Sequence, residues 1–114
     1  MDITLRVRPE KFHHKEAIEG EIAVSYQGRY DGIVINAQVL DSNQHITYTS
    51  YNDKEISSIA RLFIPHNEIT DNSVKFKAEA KFEADRSHEI KFRASIIEQH
   101  KEVDSVIVFV EYVS

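Results

Sequence analysis

At 114 residues the chain has the length of one domain, and a single domain over residues 1–114 is expected. Hydrophobic residues make up 41% and charged residues 29%, a globular rather than a disordered composition. A net charge of -5, from 14 basic and 19 acidic residues, lacks the basic footprint that phosphate backbones require and argues against nucleic acid as a partner.

The absence of cysteine removes disulfides and thiolate metal sites. The opening Met1-Asp2-Ile3-Thr4-Leu5-Arg6 reads as a strand and not as a signal peptide. No apolar run approaches the roughly 20 residues of a membrane helix, and no Asn-x-Ser/Thr acceptor occurs. A reducing, cytoplasmic setting is the expectation.

The dominant period is two. Ile3, Leu5 and Val7 alternate in a first strand, and Ile22, Val24 and Tyr26 in a second. Gly28-Arg29-Tyr30-Asp31-Gly32 is a turn cluster. Ile33 to Leu40 is apolar on both faces except at Asn36 and Gln38. Asp41-Ser42-Asn43 forms a turn, and His45 to Tyr51 a polar strand. Asp53 to Ile64 fits two periods: Ile56, Ile59, Ala60 and Phe63 lie at helical spacing, Ile56, Ser58, Ala60, Leu62 and Ile64 at strand spacing. The strand is placed slightly ahead, and Pro65 ends either element.

Ser73 to Ala84 alternates more strictly. Val74, Phe76, Ala78, Ala80, Phe82 and Ala84 share one face, and Lys75, Lys77, Glu79, Lys81 and Glu83 the other. His88 to Ile97 repeats the pattern, with Ile90, Phe92, Ala94 and Ile96 inward and Glu89, Lys91 and Arg93 outward. The polar Ala84–Ser87 link predicts a hairpin between the two. The favoured register sets Ala80 on Ile90, Ala78 on Phe92 and Phe76 on Ala94, which puts Lys81 opposite Glu89 and Glu79 opposite Lys91. Ser105 to Val113 is apolar on both faces and is expected centrally or under a partner. About 7–8 short strands describe an all-β, antiparallel two-sheet β-sandwich of immunoglobulin-like or arrestin-like type, and without a Cys-Trp-Cys signature it is not an antibody-type domain.

Phe12, Ile18 and Gly20, followed by the alternating Ile22 and Val24, carry a resemblance. The stretch resembles the arrestin N-terminal-like superfamily, which includes sporulation-control-type proteins. That motif is aromatic, one residue, Pro-Gly, two residues, aliphatic, one residue, Gly. His14 and Lys15 stand at the Pro-Gly positions, a departure. The resemblance covers about the first 40 residues and implies a protein-binding adaptor or scaffold without a catalytic centre. Read physically, Phe12 closes one end of a sandwich, Ile18 returns the chain to the core, and Gly20 permits a bulge or a close backbone approach.

Candidate sites are sparse. Six histidines include no His-x-His or His-Glu-x-x-His spacing, and the adjacent His13 and His14 point apart in extended chain, so no metal is expected. Neither Gly-x-Ser-x-Gly nor cysteine is present, and three glycines make no phosphate cradle, so neither enzyme activity nor a cofactor is expected. Tyr48 and Tyr51 on a polar strand suggest an aromatic platform for a sugar ring or peptide, against one packing inward and the other lying along the surface. The row Lys75, Lys77, Lys81, Lys91 and Arg93 is a solvated face or a receptor for an acidic partner. Val106 to Val110, if uncovered, predicts a homodimer or a docking surface. The expected function is a non-catalytic adaptor acting through a sheet face or edge strand, with Phe12, Tyr48, Tyr51, Lys75, Lys77, Lys91 and Arg93 as candidate binding residues. The alternative is a carbohydrate- or small-ligand-binding module.

Overall fold

The alternating pattern resolves into strands along most of the chain in a computed structural model that describes residues 1–114. In order these are β1 (Ile3–Arg8), β2 (Lys11–Phe12), β3 (Ile18–Val24), β4 (Gly32–Val39), β5 (Thr47–Tyr51), β6 (Lys54–Ile59), β7 (Arg61–Pro65), β8 (Ser73–Glu79), β9 (His88–Glu98) and β10 (Lys101–Tyr112). A 3-10 turn spans His66–Glu68. One sheet, A, runs β1-β3-β8-β5-β6, and the other, B, runs β2-β10-β9-β4-β7. Pairing is antiparallel except between β2 and β10. The architecture is the expected all-β two-sheet sandwich, with ten strands where about 7–8 were expected, and its Cα radius of gyration of 13.8 Å is close to the value of about 13 Å for a compact chain of this length.

The two sheets meet through side chains that the sequence already sorts by period. Ile3, Leu5 and Val7 of β1, Ile18, Ile22 and Val24 of β3, and Val74, Phe76 and Ala78 of β8 line the inner face of sheet A. Ile33, Ile35, Ala37 and Val39 of β4 and Ile90, Phe92, Ala94 and Ile96 of β9 line that of sheet B. All belong to one continuous core. Each large aliphatic side chain removed from water contributes about 1.5–3 kcal/mol, which is why burial outweighs the helix propensity of the Ala, Lys and Glu in β8.

Phe76 sits at the centre of this core. Its ring meets Tyr48 at 5.8 Å edge-on and Phe92 at 6.0 Å. Gly20 lies opposite it in the ladder. A Cβ on Gly20 would lie 2.1 Å from ring atoms Cε2 and Cζ of Phe76. Gly20 is therefore a close approach, as one of its two expected roles had it; the β1–β3 and β3–β8 ladders run through it without a register shift, so it is not a bulge.

One expectation about connection differs from the structure, and two are narrowed by it. The hairpin between Ser73–Ala84 and His88–Ile97 does not form, because β8 belongs to sheet A and β9 to sheet B. Lys75 instead faces Glu21 and Lys77 faces Glu19, both on β3, while Lys91 faces Phe109 and Gln38. Beyond Glu79 the chain crosses between sheets with Ala80 buried and Phe82 and Ala84 half-buried, so the inward pattern outlasts the ladder.

The Asp53–Ile64 segment is extended but broken. Ala60, with φ 65°, divides it into β6 in sheet A and β7 in sheet B. Finally, of the two places expected for β10, centrally or under a partner, the structure does not give it the central one. β9 flanks it along its whole length, while its other edge meets only Lys11 and Phe12 of β2, beside Glu111 and Tyr112.

Candidate functional site

The aromatic candidates lie inside the protein. Phe12 and Tyr48 are fully buried, and Tyr51 is buried. Phe12 packs edge-on against Tyr112 at 5.8 Å, in line with its expected closing role. Tyr48 Oη donates to the Ala60 carbonyl at 2.9 Å, and burial raises its phenol well above the usual tyrosine range. A spacing of three would put Tyr48 and Tyr51 on opposite faces of a regular strand. A register shift between Tyr48 and Ser50 inserts an extra residue, Thr49, and turns both rings inward. The exposed platform that would stack on a sugar ring is therefore not formed by these residues.

The cationic row is divided between opposite outer faces. Lys75 and Lys77 lie on sheet A, Lys91 and Arg93 on sheet B, and Lys81 falls beyond β8, 3.8 Å from Glu79. On sheet A the cross-strand rows read Arg8-Glu19-Lys77 and Arg6-Glu21-Lys75. Arg6 and Glu21 approach to 3.8 Å. A surface hollow of about 340 Å³ lies over these rows and is also lined by Ser50 and Asp53. Its signs alternate strand by strand, so the cations already have acidic neighbours within the sheet; exposed pairs of this kind contribute little to stability.

Three of the six histidines hold loops in place. Nδ1 of His88 donates to the Leu40 carbonyl at 2.8 Å, that of His14 to the Phe82 carbonyl at 2.7 Å, and that of His13 to the Val113 carbonyl at 3.0 Å. No group of three or more His, Asp or Glu side chains converges as metal ligands would. A separate cluster anchors the β5–β6 hairpin. Tyr51 Oη donates to Glu68 Oε1 at 2.9 Å, and Lys54 Nζ reaches the same oxygen at 3.1 Å. These hydrogen bonds lower the Glu68 carboxyl and raise the Lys54 amine.

The feature that stands apart is the open edge of β10. The Glu111 N–H donates to the Glu10 carbonyl and the Val113 N–H to the Phe12 carbonyl, both toward β2. Peptide groups alternate sides along a strand, so those of Ser105, Ile107 and Phe109 point the same way. No strand pairs with them there, and only the Ser105 N–H is taken, by Asp104 Oδ1 at 2.9 Å. β1 runs in the other sheet on this side, tied by the Asp2 N–H to Asp104 Oδ2 at 2.8 Å.

The outer side chains of the same strand are apolar. Ile107 is 45% and Phe109 52% exposed, and Val103 at the nearby bulge is 39% exposed. Flanking charges are neutralised locally. Arg93 bonds Glu102 at 2.6 Å, Ser95 Oγ donates to Glu102 at 2.8 Å, and Lys11 lies 3.8 Å from Glu111. Ile107 and Phe109 fall within the Val106–Val110 stretch that the sequence marked as a docking surface if uncovered, through its two-sided apolarity, though neither was singled out by number.

No protein-family model matches this chain, and no curated protein matches it. Solved structures do. The chain is similar to a conjugative transposon lipoprotein from Bacteroides eggerthii, with a TM-score of 0.58 at 11% identity over 97% of this chain and 96% of that one. It is similar to the CFA/I enterotoxigenic E. coli adhesin CfaE, with a TM-score of 0.66 at 9% identity over 97% of this chain. It spans 48% of that adhesin's length. The Salmonella SafD adhesin gives a TM-score of 0.55 at 11% identity, over 99% of this chain and 98% of that one. The fold is thus a β-sandwich shared with these proteins at 9–11% sequence identity. Identities this low carry the fold and nothing finer.

Proposed function

We propose that this chain is a non-catalytic protein-binding domain that engages its partner at β10, by strand addition along the open edge and by contact with Ile107 and Phe109. The observation that carries the reading is an unpaired edge whose five residues Ser105 to Phe109 contain no charge and no proline. Edge strands that are meant to stay free are blunted by lysine, proline, bulges or a covering segment. On this side of the sandwich β1 follows that rule with Arg6 and Arg8 facing out. The opposite edges are short, and β7 ends in Pro65.

Strand addition satisfies peptide groups and leaves side chains to set specificity. A partner strand placed here would set its own outward side chains beside Ile107 and Phe109. Two of the similar structures are adhesins by name, which supports a binding role for this architecture.

The reading is tested by placing a photoreactive phenylalanine analogue at position 109 and, separately, at position 77 on sheet A, in cells that make the protein. Protein adducts from position 109 that vanish on adding Ile107→Lys support it. Adducts from position 77 alone, or from neither, overturn it.

A further inference from the structure

We infer that the strand received at β10 is β10 of a second copy of this chain, antiparallel about a two-fold axis at Ile107. The inference rests on the reading of β10 as the binding edge and names its occupant. The free window has two fixed ends. A register shift between Glu102 and Asp104 bends the strand at one end, and β2 takes up the edge from Glu111 at the other. The seven residues Asp104 to Val110 lie between, and their midpoint is Ile107. Ile107 also directs its N–H and C=O into the open edge. A strand of the same sequence therefore fills the window from end to end when Ile107 pairs with Ile107 of the second copy.

That register is self-complementary in size and keeps like charges apart. It sets Phe109 opposite Ser105 of the second copy, large against small, and Ile107 against its equivalent at the centre. Peptide groups of Ile107 meet in a hydrogen-bonded pair on the axis, and those of Phe109 meet Ser105 of the second copy, whose N–H exchanges its bond to Asp104 Oδ1 for one across the seam. The row through the axis runs Arg93-Ile107-Ile107-Arg93. The two arginines are then three strand spacings apart, about 14 Å, beyond a Debye length of about 8 Å in physiological salt. Each is also held by Glu102 of its own chain. The two B sheets become one continuous sheet, and the exposed faces of Ile107 and Phe109 are covered. Seven residues span about 24 Å and cover less than the roughly 800 Å² per partner of a standard interface, so pairing is reversible and depends on concentration.

The chain has no cysteine, so one introduced thiol reports a single position. Hydrogen-bonded antiparallel partners have Cα atoms about 5.5 Å apart, inside the range a disulfide spans. Under mild oxidation Ile107→Cys is expected to give a disulfide dimer. Ser105→Cys and Phe109→Cys are expected to stay monomeric alone and to cross-link when mixed with each other. Light scattering of the unmodified protein is expected to show a mass rising toward twice that of the monomer with concentration. A monomer throughout the soluble range overturns the inference, as does homodimer cross-linking at Ser105→Cys equal to that at Ile107→Cys. If the protein is monomeric but position 109 still captures another protein, the binding-edge reading survives its chosen occupant. If it is monomeric and position 109 captures nothing, both fail.

Discussion

Replacing Gly20 by alanine adds one carbon where the Phe76 ring already stands. The new Cβ would lie 2.1 Å from two ring atoms and 2.7 Å from a third. Phe76 is 1% exposed and is bounded by Tyr48 and Phe92, so its ring has nowhere to retreat. Overpacking of this kind costs about 1–3 kcal/mol, and the enclosed ring places Gly20→Ala near the top of the range. No glycine in the chain has positive φ, so alanine suits the backbone and recovers about 0.4–1 kcal/mol through the unfolded state. The net expectation is a loss of about 2 kcal/mol, or roughly 8 °C in Tm for a chain of this length. Thermal and urea unfolding followed by circular dichroism measure it. Phe76→Leu in the same chain opens room for the methyl group, so the double variant is expected to be more stable than the sum of the single losses. An alanine variant as stable as the parent, or a penalty unchanged by Phe76→Leu, would refute the close-approach explanation.

Three further outcomes are expected. Ala60→Gly relieves a left-handed alanine at the β6–β7 break and should raise stability by about 1 kcal/mol, read from the urea midpoint. Tyr48→Phe removes the buried donor to the Ala60 carbonyl and should lower stability by about 1 kcal/mol in the same assay. Asp104 has its carboxyl lowered by hydrogen bonds from the Asp2 and Ser105 N–H groups. Its contribution is present above the ordinary aspartate value and lost as pH falls through the lowered one. Asp104→Asn should therefore be less stable than the parent at about pH 7, by a margin that narrows as pH falls below the ordinary aspartate range; a pH-independent difference would contradict this.

Where the strands lie was legible because one face of each is buried. Ile3-Leu5-Val7 and Ile90-Phe92-Ala94-Ile96 announce both the element and its inward side. Which strand pairs with which was not. The Lys81–Glu89 and Glu79–Lys91 matches were locally sound, yet Lys75 and Lys77 found equally good acids at Glu21 and Glu19, more than 50 residues away. Cross-strand charge pairs are worth too little to overrule the packing of two sheets. Nor does alanine signal a chain break, so the left-handed Ala60 had no mark in the sequence. The extra Thr49 likewise reversed the facing of Tyr51 with no glycine to announce it. Two-sided apolarity over Val106–Val110 was visible, but a central strand and an edge strand awaiting a partner share that pattern. The candidate site turned on that one ambiguity.

Hydrogen exchange along β10 in dilute solution tests the open edge most directly. Amides of Val106, Val108 and Val110 bond toward β9 and should be protected, while those of Ile107 and Phe109 should exchange fast and become protected as concentration rises. Uniform protection across Ser105 to Val110 at the lowest concentration would mean the edge is already closed within one chain, and the binding surface described above would not exist.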